Sequence, residues 1–134
     1  MNWNLIFRLS LLGLVMAIAT LWLPSTIESI CWLAIFLFVA YQIAKKAPGK
    51  YFTHGVCVGL VNCIWVTGAH VIFAKMYLAN HPQELEMLSR MPWPTHPRIM
   101  MLIMGPVAGM ISGLIIGLLA FIASKLIKKP MATA

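Results

Sequence analysis

The sequence predicts an all-α integral membrane protein, a four-helix bundle whose helices all span the bilayer and whose two ends are cytoplasmic. Three observations predict it. Hydrophobic residues make up 61% of the 134 and charged residues only 10%, against about 25% charged in soluble domains. Four stretches are free of Asp, Glu, Lys and Arg. The ten Lys and Arg gather at the margins of those stretches, more on one side than on the other.

The first helix is placed at about 3–23. Between Arg8 and Glu28 lie 19 uncharged residues, and helices cross a hydrocarbon core of about 30 Å with about 20 residues. A basic residue followed by an apolar stretch and Ala17-Ile18-Ala19 resembles a cleavable leader. The apolar run continues through Thr20-Leu21-Trp22-Leu23, so the segment reads as a span. The second helix is placed at about 26–44. Its uncharged run, Ser29 to Ala44, has only 16 residues and needs Glu28 at the interface. Ser25-Thr26-Ile27-Glu28 reads as a capping box that would put it there.

The third helix is placed at about 52–76, within 24 uncharged residues between Lys50 and Lys75, and the fourth at about 98–126, within 26 between Arg98 and Lys125. Residues 77–97 form the outer connection. Asn80-His81-Pro82 reads as a helix start with proline in the first turn, and Gln83 to Met91 as a short amphipathic helix. Pro92-Trp93-Pro94-Thr95-His96-Pro97 reads as stiff, extended chain. All 134 residues make one transmembrane domain.

Orientation follows from the charges. Arg8, Lys45, Lys46, Lys50, Lys125, Lys128 and Lys129 fall on one side, and Lys75, Arg90 and Arg98 on the other. The richer side is expected to be cytoplasmic. Trp3, Tyr41 and Tyr51 suit anchors near the inner face, and Trp22, Trp32, Tyr77 and Trp93 near the outer. The net charge of +7 is accounted for by membrane flanks, so nucleic acid is not an expected partner. Cys31, Cys57 and Cys63 all lie in apolar segments, with no Cys-x-x-Cys and no disulfide framework.

Burial of apolar surface does not associate helices in lipid; close packing and interhelical hydrogen bonds do. The fourth helix carries Gly105, Gly109, Gly113 and Gly117 at intervals of four, with Ser112 beside them. The third offers Gly55 and Gly59, and the first Gly13 and Ala17 in one sector with Ser10 and Thr20. This glycine zipper is read as the helix-packing surface, against helix three or one, or between copies in a homo-oligomer.

Asn62 and His70 are the notable polar groups inside a span, eight residues apart on one face. Intramembrane ionisable groups are candidates for function, and an interhelical hydrogen bond is the plainer alternative. Pro106 removes a donor from the fourth helix and should bend it. His70, His81 and His96 gather toward the outer side with several methionines, a donor set suited to Cu(I), but without metal-ligand spacing. No metal, cofactor or catalytic residue is assigned, and enzymatic activity is not expected.

The tight outer turn, the basic inner turn, the glycine-rich third helix and Gly105-Pro106-Val107-Ala108-Gly109 ahead of Lys128-Lys129 resemble a family of small four-helix bacterial inner-membrane proteins of unknown function. The resemblance implies four helices and a bacterial inner membrane, and no activity. The leading functional expectation is a non-enzymatic membrane protein, a subunit or accessory of a larger membrane complex or a homo-oligomer. The alternatives are a small oligomeric transporter or channel using Asn62, His70 and Pro106, and an outer-face metal or quinone binding protein.

A reporter fused after Ala134 tests the orientation. Green fluorescent protein there should fluoresce and alkaline phosphatase should stay inactive; active phosphatase would reverse the assignment.

Overall fold

The computed structural model describes residues 1–127. Lys128 and Lys129, counted above among the inner charges, lie outside them, as does the rest of the C-terminal tail. Among the described residues the fold is all-α, with six helices: α1 Trp3–Ala19, α2 Ser25–Lys46, α3 Tyr51–Ile72, α4 Ala74–Asn80, α5 Pro82–Ser89 and α6 Pro97–Leu126. Three of them, α2, α3 and α6, are long and apolar enough to cross a membrane, while α1 is a shorter apolar helix of 17 residues. These helices place the chain among membrane proteins.

The first helix stops four residues before its expected end. Beyond Ala19 the last turn tightens, with Leu21 N–H donating to Ile18 C=O at 3.2 Å and Trp22 N–H to Ala19 C=O at 3.1 Å, the three-residue step common where helices end. The Thr20 hydroxyl donates to Ala17 C=O at 2.9 Å. The other end is better capped. Asn2 Oδ1 accepts from Leu5 N–H at 3.0 Å, and Asn2 N–H donates to His54 Nε2 at 3.0 Å. His54 Nδ1 in turn donates to Lys50 C=O at 2.9 Å. Both nitrogens of this buried histidine thus hold the start of α1 against the start of α3.

The expected capping box does not form. Pro24 precedes the first residue of α2 and no side chain caps it. The third expected helix also differs, since the chain turns at Phe73 and resumes as α4. The turn carries Tyr77 and His81 back over the end of the bundle.

The α3–α6 contact is the most extensive in the molecule, with α1 packed on α3 and α2 on α6. Along α3 and α6, which run antiparallel, the near pairs step by four: Gly55 with Gly117, Gly59 with Gly113, Cys63 with Gly109 and Thr67 with Gly105. A Cβ added at Gly59 would collide with the Gly113 backbone, and one at Gly55 with the Gly117 backbone. At Gly117 it would sit 2.7 Å from Phe52 C=O, and at Gly113 2.8 Å from Val56 C=O. The glycine stripe is therefore occupied within the chain, by α3. Of the alternatives expected for it, packing against the third helix is the one seen within the chain.

Two separate cores result. One, toward the chain's lysine-rich end, gathers Leu5, Ile6, Val39, Ile43, Val58 and Ile116 from α1, α2, α3 and α6. The other gathers Leu21, Tyr77, Leu78, Leu88 and Met100 under the outer connection. The outward faces carry large apolar side chains, among them Val15, Leu33, Ile64 and Leu118. Pro106 is exposed within an uninterrupted α6.

Gly59→Ala should cost about 1–3 kcal/mol of stability through overpacking against backbone. Gly68→Ala, where nothing lies within 4 Å, should be neutral or stabilising, since Gly costs about 1 kcal/mol in a helix. Thermal melts in detergent compare them, and equal melting temperatures would refute the close approach.

Candidate functional site

Between the two cores lies a cavity of about 420 Å³, within the size range of small-molecule sites. Side chains from α2, α3 and α6 form its walls, and α4 and α5 roof it. Trp32 and Phe36 face it from α2, Asn62 and His70 from α3, and Met101, Met104, Ala108 and Ser112 from α6. Of the charged residues lining it, Glu84 on α5 is the only one, and no lysine or arginine takes part.

The roof is held by a row of polar and aromatic groups. The rings of His70 and Tyr77 stack at 3.9 Å between centroids and 20° between planes, and Tyr77 stacks on His81 at 4.2 Å and 23°. At one end, His70 Nε2 lies 2.9 Å from Thr20 Oγ1. That hydroxyl already donates to Ala17 C=O, so it accepts from His70, which fixes the proton on Nε2. At the other end, His81 Nδ1 donates to Tyr77 C=O at 2.8 Å, and His81 Nε2 lies 3.1 Å from Glu28 Oε2. A carbonyl only accepts, so Nδ1 carries a proton. The 3.1 Å contact then needs a second proton, on His81 Nε2 or on Glu28. The pair holds one proton between α2 and the start of α5. Trp32 Nε1 steadies the carboxylate, donating to Glu28 Oε1 at 3.3 Å.

Burial pushes the Tyr77 hydroxyl well above its ordinary range, and the Glu84 and Glu28 carboxylates add to the effect. It stays a neutral hydroxyl.

Asn62 is 6% exposed, and its Oδ1 has no hydrogen-bond partner. It lies against Gly13 of α1, where a Cβ would collide with it. Gly13 therefore makes room for this amide, in keeping with its expected packing role. Ala17 and Ser10 are fully buried on the same face, and Ser10 Oγ accepts from Trp65 Nε1 at 3.2 Å. Buried polar groups are normally paired. Here the unpaired oxygen is turned to α1, while the Asn62 side chain also lines the cavity.

Several expected site residues do not converge. His96 is exposed, bonded to its neighbour Thr95, and lines a second, shallower hollow with Lys75 and Arg98. His70 and His81 are separated by the Tyr77 ring. Among the described residues no three of His, Cys, Asp or Glu come together to hold a metal. The three-histidine cluster is thus not assembled. Pro106 does not line the cavity. Tyr77 and Trp32, expected as interfacial anchors, are roof and wall instead, while Trp22 and Trp93 are exposed. Glu28, Tyr77 and Glu84 were not singled out as site residues. The spacing of His70, Tyr77 and His81, seven and then four, is the signal that would have found the stack, since it repeats along one helical face.

Comparisons with protein-family models, curated proteins and solved structures found no match to the chain.

The Glu28–His81 pair gives a direct test. Glu28→Leu should cost about 1–3 kcal/mol, as removal of one buried partner does. Glu28→Gln lets an amide N–H donate to neutral His81, so it should keep most of the stability. Thermal melts of the three proteins compare them, and a Glu28→Leu protein as stable as the wild type would refute the contact.

Proposed function

We propose that the chain is a four-pass protein of a bacterial inner membrane, with both termini cytoplasmic, that binds an apolar small molecule in the outer half of its bundle without catalysing a reaction on it. The fourth pass is α1 with its tightened last turn. Its 17 helical residues reach about 26 Å, and the chain turns on to Leu23, whose N–H donates to Ala19 C=O at 3.2 Å.

The observation that carries the binding role is the cavity itself. It sits between two packed cores, its walls are mostly apolar, and a buried amide without a partner stands at its edge. Its volume of about 420 Å³ falls within the range of small-molecule sites.

The other readings have less support. A channel needs a path through the inner half, and that half is filled by Ile6, Ile43, Val58 and Ile116, each no more than 1% exposed. A scaffold built on the glycine stripe would need a face that α3 already covers.

Mild detergent extraction followed by organic extraction tests this reading. The wild-type protein should carry about one apolar molecule per chain, enriched over bulk lipid. Ala108→Phe, which places a ring in the cavity, should carry none. Identical bulk lipid on both proteins would overturn the proposal.

A further inference from the structure

The shape and charge of the cavity narrow the chemistry of its occupant; this step rests on the binding role just proposed. The α3 wall runs from Gly59 to His70, about 16 Å at 1.5 Å per residue. A volume of about 420 Å³ over that length suits an elongated molecule lying along α3.

Charge excludes acids. A phosphate or carboxylate head would meet Glu84 at the roof and no lysine or arginine anywhere along the lining. The basic groups of the outer side, Lys75 and Arg98, face the separate hollow beside His96. A cationic head seated deep would be buried with no carboxylate beside it, at a cost of several kcal/mol. The head is therefore uncharged.

The deep anchor is Asn62. It lines the cavity, with its oxygen turned to Gly13 of α1. A side-chain amide presents a donor on one end and an acceptor on the other, and rotation exchanges them. Such a group pairs with a carbonyl in one orientation and with a hydroxyl in the other. Around it the cavity supplies flat and polarisable surfaces: Trp32 and Phe36 on one side, the Met101 and Met104 thioethers on the other. Thioethers and aromatic rings both favour ring contacts.

We infer that the cavity binds an uncharged quinone or quinol carrying a hydrocarbon tail, with a ring oxygen paired to the Asn62 amide. The ring lies between α2 and α6.

Native mass spectrometry of the full chain, released from phosphatidylcholine nanodiscs, tests this with three probes: decylubiquinone, 1-hexadecanol and palmitic acid. Decylubiquinone should bind one per chain, at least tenfold more tightly than either of the others. Asn62→Leu should weaken it about tenfold without weakening the others. Ala108→Phe, which leaves Asn62 in place, should lose decylubiquinone while keeping the wild-type melting temperature. Equal binding of 1-hexadecanol would overturn the ring assignment. Equal binding of palmitic acid would overturn the argument from charge. Unchanged decylubiquinone binding in a folded Asn62→Leu protein would overturn the anchor. Each of these leaves the wider binding role standing, whereas absence of all three probes from the wild type would remove that role as well.

Discussion

The near contact of two helix backbones, α3 against α6, governs this structure. In lipid the solvent offers no apolar driving force, so helices associate through what they gain by approaching closely. Glycine at Gly55, Gly59, Gly109, Gly113 and Gly117 removes the side chains that would hold α3 and α6 apart. Position 63, facing Gly109, carries cysteine, and position 67, facing Gly105, carries threonine. The interface therefore changes along its length, from backbone on backbone at Gly55–Gly117 to backbone on side chain at Thr67–Gly105, and the cavity is lined from Gly59 and Gly113's neighbour Ser112 toward the latter end.

The rest of the bundle follows from that axis. With α3 and α6 joined, α1 packs on α3 and α2 on α6. The lysine-rich ends close over Ile43, Val58 and Ile116, all fully buried. The opposite ends are joined differently. A second, smaller core and the His70–Tyr77–His81 stack bridge them, and Glu28 ties that bridge to α2. The cavity is the space left between a joint made by glycine and a joint made by polar side chains.

Much of this was legible in the sequence, and the reason is periodicity. Charge-free runs marked the long apolar helices to within a few residues. The interval of four between Gly105 and Gly117 marked a packing face, because four residues nearly complete a turn. The sector Ser10, Gly13, Ala17 and Thr20 marked the face of α1 that meets α3. What was not legible depends on partners distant in the chain. Ser25 and Glu28 satisfy a local capping rule, yet Glu28 bonds to His81, 53 residues away. A sequence motif records what a residue can do nearby and is silent on a competing partner brought in by the fold. Likewise the glycine stripe carries no mark of whether its complement lies in the same chain; Gly55 and Gly59 were candidates, and only the antiparallel register of α3 and α6 selects them. Tyr77 was read as an anchor because aromatic residues near span ends often are. The turn at Phe73, which brings it inward, has no proline or glycine to announce it.

The placement of the one shared proton links the roof to the walls. His81 stands between α4 and α5 and bonds to Glu28 on α2, so the pair ties the roof to α2. Trp32, which lines the cavity, also donates to Glu28. One carboxylate therefore holds both a wall residue and the roof, through an indole nitrogen on one oxygen and an imidazole nitrogen on the other.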